Sequence, residues 1–447
     1  MASNFAWLLA LAGLSAAAAT SPRVFPFAYT QEDLPNGLRL VTIPTDYPNI
    51  VALCIVVQTG SRNEIEPGKT GFAHLFEHVM FKGTEQYPPE KYEAVLKRAG
   101  AASNAFTSDD LTAYHTTFSK EDLETILAME ADRFQHLKYS PAEFKTETLA
   151  VLGEYNKNSA NPLNKLFEVL RETAFDRHTY RHTTMGFLKD IQDMPNQYAY
   201  SLQFFDRYYR PEYTTVIVAG DIETHSVRAL VDRYWGNWKR GNYRAAIPAE
   251  LPQQGPRTNQ VEWPTRTLPW LAVSYRGPAY SDTAKDMVAL DALSYLAFSE
   301  NSDLYQKLVI QEQKVDVLEG DNEDHVDPYL FTVLARVKKP QDVAYVEQQV
   351  LETVKQFRER AVSGERLEAV KKHLRYSFSL RLDNSETVAL TVASYVALRR
   401  TPATIDRVYD LYAQLTPDDV RNAARRYLAE QNRTIVTLAT RQAGGAK

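Results

Sequence analysis

Three side chains within five positions could together perform hydrolysis: His74, Glu77 and His78, in the run His74-Leu75-Phe76-Glu77-His78. On a helix, residues four apart lie on one face, so both imidazoles can reach a single metal ion. Glu77 is three residues from His74 on the same face but adjacent to His78, which suits contact with a water on the metal better than ligation. Zn2+ fits this donor set, because a catalytic zinc takes three protein ligands and keeps one position for water. It lowers the pKa of that water to about 7, and a nearby carboxylate can take the proton and later give it to a leaving amine. The neighbours Phe72, Leu75, Phe76, Val79, Met80 and Phe81 are apolar, which places the helix largely in the core. Buried His and Glu without partners would be costly there, and a metal would satisfy them.

The third ligand has to come from another rigid element. Residues 141–157 follow Ser140 and begin with Pro141, a helix start with Ser as the cap. That helix offers Glu143, Glu147 and Glu154. Glu147 and Glu154 are two turns apart and share a face, which suits one ligand and one carboxylate supporting the ligands from behind. Thiolates contribute nothing. The single cysteine, Cys54, sits in the apolar run VALCIVV and reads as a core residue of a buried strand. His115 reads as structural. His178 and His182 are also four apart, but they lie in a polar stretch with no Glu between them and read as a loop.

The elements that must carry these residues follow from pattern. Strands are expected at 37–44 and 50–60, and helices at 71–82, 90–99, 120–138 and 195–209. The alternation across 101–118 suggests a hairpin, and TTVIVAG at 214–220 a strand. Residues 241–264, rich in Pro, Gln, Gly and Arg, read as a linker between a domain at 20–240 and a second at 265–447. The second half echoes the first: YYRPEYTTVIVAG at 208–220 matches YLAEQNRTIVTLA at 427–439, and IVALCIVVQTGSR matches LPWLAVSYRGPAY. A repeat this long indicates duplicated α+β domains, only the first of which carries the metal site.

Bulk composition narrows the function classes. The 447 residues are 44% hydrophobic and 24% charged, with a formal net charge of −5. Nothing here attracts nucleic acid or anionic lipid. Residues 5–19, FAWLLALAGLSAAAA, read as the apolar part of a signal peptide (1–19) cleaved near Ala19, which implies export, to a bacterial periplasm by expectation. No other segment reads as membrane-spanning.

The inverted zincin order His-x-x-Glu-His stands here among further motifs: LPNGL at 34–38, GSRNE at 60–64, VMFKGT at 79–84, NAFT at 104–107, DLTAY at 110–114 and VLGEY at 151–155. On these the chain, from about residue 33 to its C-terminus, resembles the pitrilysin/insulinase family of metallopeptidases. The resemblance implies Glu154 as the third ligand of one Zn2+ per chain, and Glu147 as the carboxylate seven residues earlier that supports the site. It implies two homologous domains, each a mainly antiparallel sheet packed by helices, forming half of a clam-shell chamber. Peptide substrates would add a strand to the edge formed by Ser103, Asn104, Ala105, Phe106 and Thr107. Single-chain members bring an Arg and a Tyr, seven residues apart, from their C-terminal half. Here Val309 and Asp316 stand at those places. The chain therefore resembles the catalytic subunit of the two-chain members, which implies a homologous metal-free subunit supplying the Arg/Tyr pair, or a homodimer. The expected activity is a zinc endopeptidase acting on short or unfolded peptides. The competing expectation is a non-catalytic structural or scaffold homologue, in which the metal residues would decay. Here all four are intact.

Overall fold

The structure is a computed structural model that describes residues 23–441, so the signal-peptide expectation for 1–19 lies outside the described residues. The first lobe is built on six strands: β1 (Thr30–Asp33), β2 (Arg39–Pro44), β3 (Ile50–Val57), β4 (Ala102–Thr107), β5 (Thr112–Ser119) and β6 (Thr214–Gly220). They lie in the order β1-β2-β6-β3-β5-β4, with β2 and β6 parallel and every other pair antiparallel. The second lobe holds β7 (Arg257–Trp263), β8 (Trp270–Arg276), β9 (Val315–Asn322), β10 (Leu330–Val337) and β11 (Arg433–Thr440), in the order β7-β11-β8-β10-β9. Its one parallel pair is β7 with β11. Five strands of the first sheet thus have the same order and the same parallel pair as the second. The duplication read from the two β-branched strands holds at the level of topology, with β6 corresponding to β11 and β3 to β8.

One segment differs from the expectation. Residues 257–263, assigned to the linker from sequence, form β7 at the edge of the second sheet. The run RTNQVEW carries mostly polar side chains because an edge strand is covered on little of its surface, so its hydrophobic alternation is weak. The chain from 237 to 254 has no regular element.

The helices that matter for the site are α1 (Phe72–Val79), α2 (Pro89–Arg98), α3 (Leu123–His136), α4 (Pro141–Asn158) and α5 (Pro162–Ala174). The central strand β3 is apolar throughout and divides by pleat between two cores. Val51, Leu53, Ile55 and Val57 face α1, α3 and their neighbours. Ala52, Cys54 and Val56 face the opposite side, where they meet Val388, Val392 and Val396 of the helix Ser385–Arg399. The second sheet is covered in the same way from across the molecule. Leu166, Leu170 and Ala174 of α5 pack on Ala272, Val436 and Leu438. Each lobe therefore lends one helix to the outer face of the other's sheet. His115, on β5, meets Glu386 of the lent helix at 2.9 Å, in keeping with a structural role.

The lobes also meet through buried charge. Asp327 of the second lobe lies 2.5 Å from Arg62 Nε and 3.0 Å from His178 Nε2, so His178, in a loop as its sequence setting implies, is buried with a carboxylate partner. Burial pushes the Asp327 carboxyl up, but His178 and Arg62 overcome this and hold it at about 2, below the ordinary 3.8. A carboxyl whose pKa is depressed by folding stabilises the fold above its unfolded pKa and loses that contribution as pH falls through its folded pKa. Asp327→Asn is accordingly expected to lower unfolding free energy by about 1–2 kcal/mol at pH 6. The gap to the wild type should close as pH falls from about 4 toward 2. Urea unfolding of both proteins across that range measures this, and a gap independent of pH would contradict it.

Candidate metal centre

Helix α1 is held at its first turn by two devices. Gly71 precedes it at φ +90°, a left-handed conformation suited to glycine, and an added Cβ would stand 2.7 Å from Met185 O. The Glu64 carboxylate accepts the Gly71 and Ala73 N–H groups at 2.7 Å each, satisfying two donors that no helical carbonyl reaches. Burial pushes the Glu64 carboxyl up to about 8 in spite of these two bonds. The apolar face then docks the helix: Phe76 stacks on Phe204 with ring centroids 5.1 Å apart, and Phe72 meets Tyr200 edge-on at 4.7 Å. From β5, Tyr114 Oη–H donates to Phe76 O at 3.0 Å, beside Glu77.

Helix α4 starts as the Ser140-Pro141 signal implies. Ser140 Oγ accepts the Glu143 N–H at 3.2 Å, and the Glu143 carboxylate returns the bond to Ser140 N–H at 2.7 Å. Glu143 is therefore engaged in a capping box at the helix start. Phe144, Thr148, Val151 and Tyr155 bury one stripe of α4, and Glu147 and Glu154 lie on the adjoining face toward α1.

His74, His78 and Glu154 converge. One donor atom from each lies within 4.8 Å of the others. Glu154 Oε2 is 3.6 Å from His74 Nε2 and 3.5 Å from His78 Nε2. These separations exceed the usual hydrogen-bond range of about 2.7–3.2 Å. Donor atoms about 2.0–2.2 Å from a tetrahedral zinc stand roughly 3.3–3.6 Å apart, so the spacing is that of ligands around a small cation. His74 Nδ1 is buried with no hydrogen-bond partner, so the protein alone leaves this ring's polar atoms poorly satisfied. Burial also lowers the His74 pKa, which favours the neutral imidazole that a metal needs. The donor set and its geometry fit zinc.

Around the three, Glu147 Oε2 stands 3.7 Å from His78 Nδ1, and Lys82 Nζ stands 2.5 Å from Glu147 Oε1. Glu147 raises the pKa of His78, while His78 and Lys82 hold the Glu147 carboxyl below its ordinary range. Glu77 lines the same cleft as His74 and Glu154, a space of about 390 Å³ that also borders Phe106 and Thr107. Thr107 Oγ1–H donates to Glu77 Oε2 at 2.7 Å.

The segment 103–107 lies in β4, which among the described residues pairs only with β5 and forms the edge of its sheet. The Ala105 N–H is met by Asn104 Oδ1 at 2.9 Å, leaving this donor bonded to a side chain that a guest strand could displace. Val309 and Asp316 lie far along the chain, in the second lobe. Val309 packs against its core, and Asp316, on β9, pairs with Arg336 at 2.8 Å. Three contributors carried no role in the sequence reading: Glu64, Lys82 and the hydroxyl of Thr107. All three stand inside the motifs GSRNE, VMFKGT and NAFT, which signalled that something there mattered without saying that these groups would hold the site.

A mixed sheet packed by helices, duplicated, with a His-x-x-Glu-His helix facing a glutamate on a second helix, defines a zincin-type peptidase fold. The chain belongs to the insulinase family, peptidase family M16. The insulinase model matches residues 39–187 and the model of the M16 inactive domain matches residues 197–374. The chain is 28% identical over 412 residues to the zinc protease PqqE of Helicobacter pylori, covering 91% of each chain. It is 23% identical over 419 residues to the mitochondrial-processing peptidase subunit beta of Blastocladiella emersonii, covering 91% of this chain and 87% of that one. Among solved structures, a protease from Helicobacter pylori superimposes with a TM-score of 0.85 at 27% identity, covering 92% of this chain and 99% of that one. Among the described residues no helix is long and apolar enough to cross a membrane.

Proposed function

We propose that this chain is a zinc endopeptidase cleaving short or unfolded peptides, and that it is the catalytic chain of a two-chain enzyme. The observation that carries the reading is the convergence of His74, His78 and Glu154 beside Glu77 at the foot of a free sheet edge. The two imidazoles and Glu154 would hold one zinc, which supplies Lewis acidity toward water and the scissile carbonyl. Glu77 takes the proton of the attacking water and delivers it to the departing amine. The Thr107 hydroxyl holds Glu77 Oε2, leaving Oε1 for that exchange. Lys82 fixes Glu147, and Glu147 turns the His78 ring so that Nε2 faces Glu154. The edge from Ser103 to Thr107 receives the peptide as an added strand, so backbone pairing gives affinity with little sequence selectivity.

The metal residues of a scaffold homologue would have no reason to keep this geometry, which favours catalysis. The absence of an Arg/Tyr pair at Val309 and Asp316 supports a second, metal-free homologous chain or a second copy completing the site. Export to a periplasm rests on residues 1–19. Metal analysis, peptide cleavage and native mass spectrometry on one preparation test the reading. The expected result is zinc in the chain and cleavage that a chelator stops and zinc restores, with a partner needed for full rate. A preparation that cleaves at full rate without zinc would sink the metal assignment, and a fully active monomer would sink the two-chain one.

A further inference from the structure

The motif GSRNE at 60–64 takes no part in hydrolysis, yet it ties the metal helix to the substrate edge. At one end Glu64 caps α1. At the other the segment is pressed against residues 108–111, the turn that joins β4 to β5. A Cβ on Gly60 would stand 2.3 Å from Ser108 O, so glycine is what allows this approach. Ser61 Oγ–H donates to Asp109 Oδ1 at 2.6 Å, and the Arg62 N–H to Asp109 O at 2.8 Å.

The same turn is gripped from the second lobe, by residues 323–329 between β9 and β10. His325 Nε2–H donates to Asp109 Oδ2 at 3.0 Å, and the Val326 N–H to Asp110 Oδ2 at 3.1 Å. Asp327 accepts from Arg62 and His178. Arg171 of α5 adds a bond to Asp109, and Tyr180 Oη–H one to Asp110 at 2.8 Å. Asp109, Asp110, Arg171 and His325 are all buried.

We propose that the β9–β10 turn of the second lobe positions the substrate edge, with His325 and Asp327 as positioning residues that set β4 against Glu77 and the metal ligands. This rests on the peptidase reading above. Strand β4 has one paired neighbour among the described residues, so its placement relative to α1 depends on the turn at its end. Thr107, the last residue of β4, is the one that bonds Glu77. A displacement of about 1 Å at a catalytic site can cost on the order of a hundredfold in rate. Burying several charges at a junction is poor economy for stability compared with apolar packing, but it does specify one geometry. By this route the lobe without a metal site governs the reaction in the lobe that has one.

Hydrogen exchange read by mass spectrometry, alongside peptide kinetics, tests the proposal on His325→Ala and His325→Gln. The alanine variant is expected to speed exchange across 102–107 by about tenfold while 271–275 in β8 stays unchanged. It should raise KM for an extended peptide by about tenfold with a smaller change in kcat, and leave zinc content intact. The glutamine variant keeps a donor and should restore both. Unchanged exchange at 102–107, a speed-up shared equally with β8, or no rescue by glutamine would each overturn the proposal. Should the alanine variant not fold, the near-isosteric Asp327→Asn gives the same reading by the same criteria. Exchange reports on the strand whether or not the chain cleaves peptides, so failure of the peptidase reading would be visible separately, as a wild type without activity.

Discussion

Glu77→Gln is expected to lower kcat for peptide cleavage by about 10³-fold or more while the protein retains its zinc. General acid–base catalysis contributes about 10²–10⁴ in rate, and in the proposed mechanism Glu77 serves it in both directions, so its loss falls at the upper end of that range. The metal should stay because Glu77 is not among the three converging donors. The fold should stay because glutamine is isosteric and its amide oxygen still accepts from Thr107 Oγ1, as Glu77 Oε2 does at 2.7 Å. The measurement is single-turnover cleavage of an unstructured peptide, with zinc determined in the same sample. Activity within tenfold of the wild type, in a preparation free of contaminating protease, would remove Glu77 from the role of base.

The second large effect concerns the metal itself. Glu154→Ala is expected to weaken zinc binding by more than about a hundredfold, beyond the range of roughly 10–100-fold seen when only an outer partner of a ligand is lost. Two imidazoles four residues apart on α1 remain, but the donor that stands 3.5 and 3.6 Å from them is gone. Glu143→Ala provides the control. Its carboxylate closes a capping box at the start of α4, so the variant should lose a little helix stability and no zinc affinity. Competition with a chromogenic chelator measures both. Equal zinc affinity in wild type and Glu154→Ala would place the third ligand elsewhere.

The parts of the site that could be read from sequence are those whose geometry is local. His74, Glu77 and His78 are related by one turn of one helix, so their spacing carries their arrangement. Glu154 is different. The residues alone left it open between Glu147 and Glu154, because which face of α4 meets α1, and at which turn, is decided by the burial of Phe144, Thr148, Val151 and Tyr155, a tertiary fact. Family resemblance chose Glu154, whose Oε2 stands 3.6 Å from His74 Nε2 and 3.5 Å from His78 Nε2. Glu143 could have been set aside from sequence, since Ser140-x-x-Glu143 is itself a capping signature. The duplicated halves were visible where strands are buried on both faces and read as near-continuous apolar runs, as β3 and β6 do. β7 was missed because its polar residues reflect an edge position. The grip of the β9–β10 turn on Asp109 and Asp110 could not be seen at all, since the partners are 216 residues apart.

The exchange of helices between the lobes also sets an order of events in time. The first sheet is complete in sequence once Gly220 has been made, but the helix that covers its outer face begins only at Ser385. At about 5–20 residues per second, translation takes roughly 8–33 seconds to supply that cover. Over that interval Ala52, Cys54, Val56, Ile217 and Ala219 share their side of the sheet only with first-lobe residues such as Phe25, Phe27 and Tyr29 and lack Val388, Val392 and Val396, so the outer face of the first lobe cannot be fully covered before the second is almost entirely synthesised.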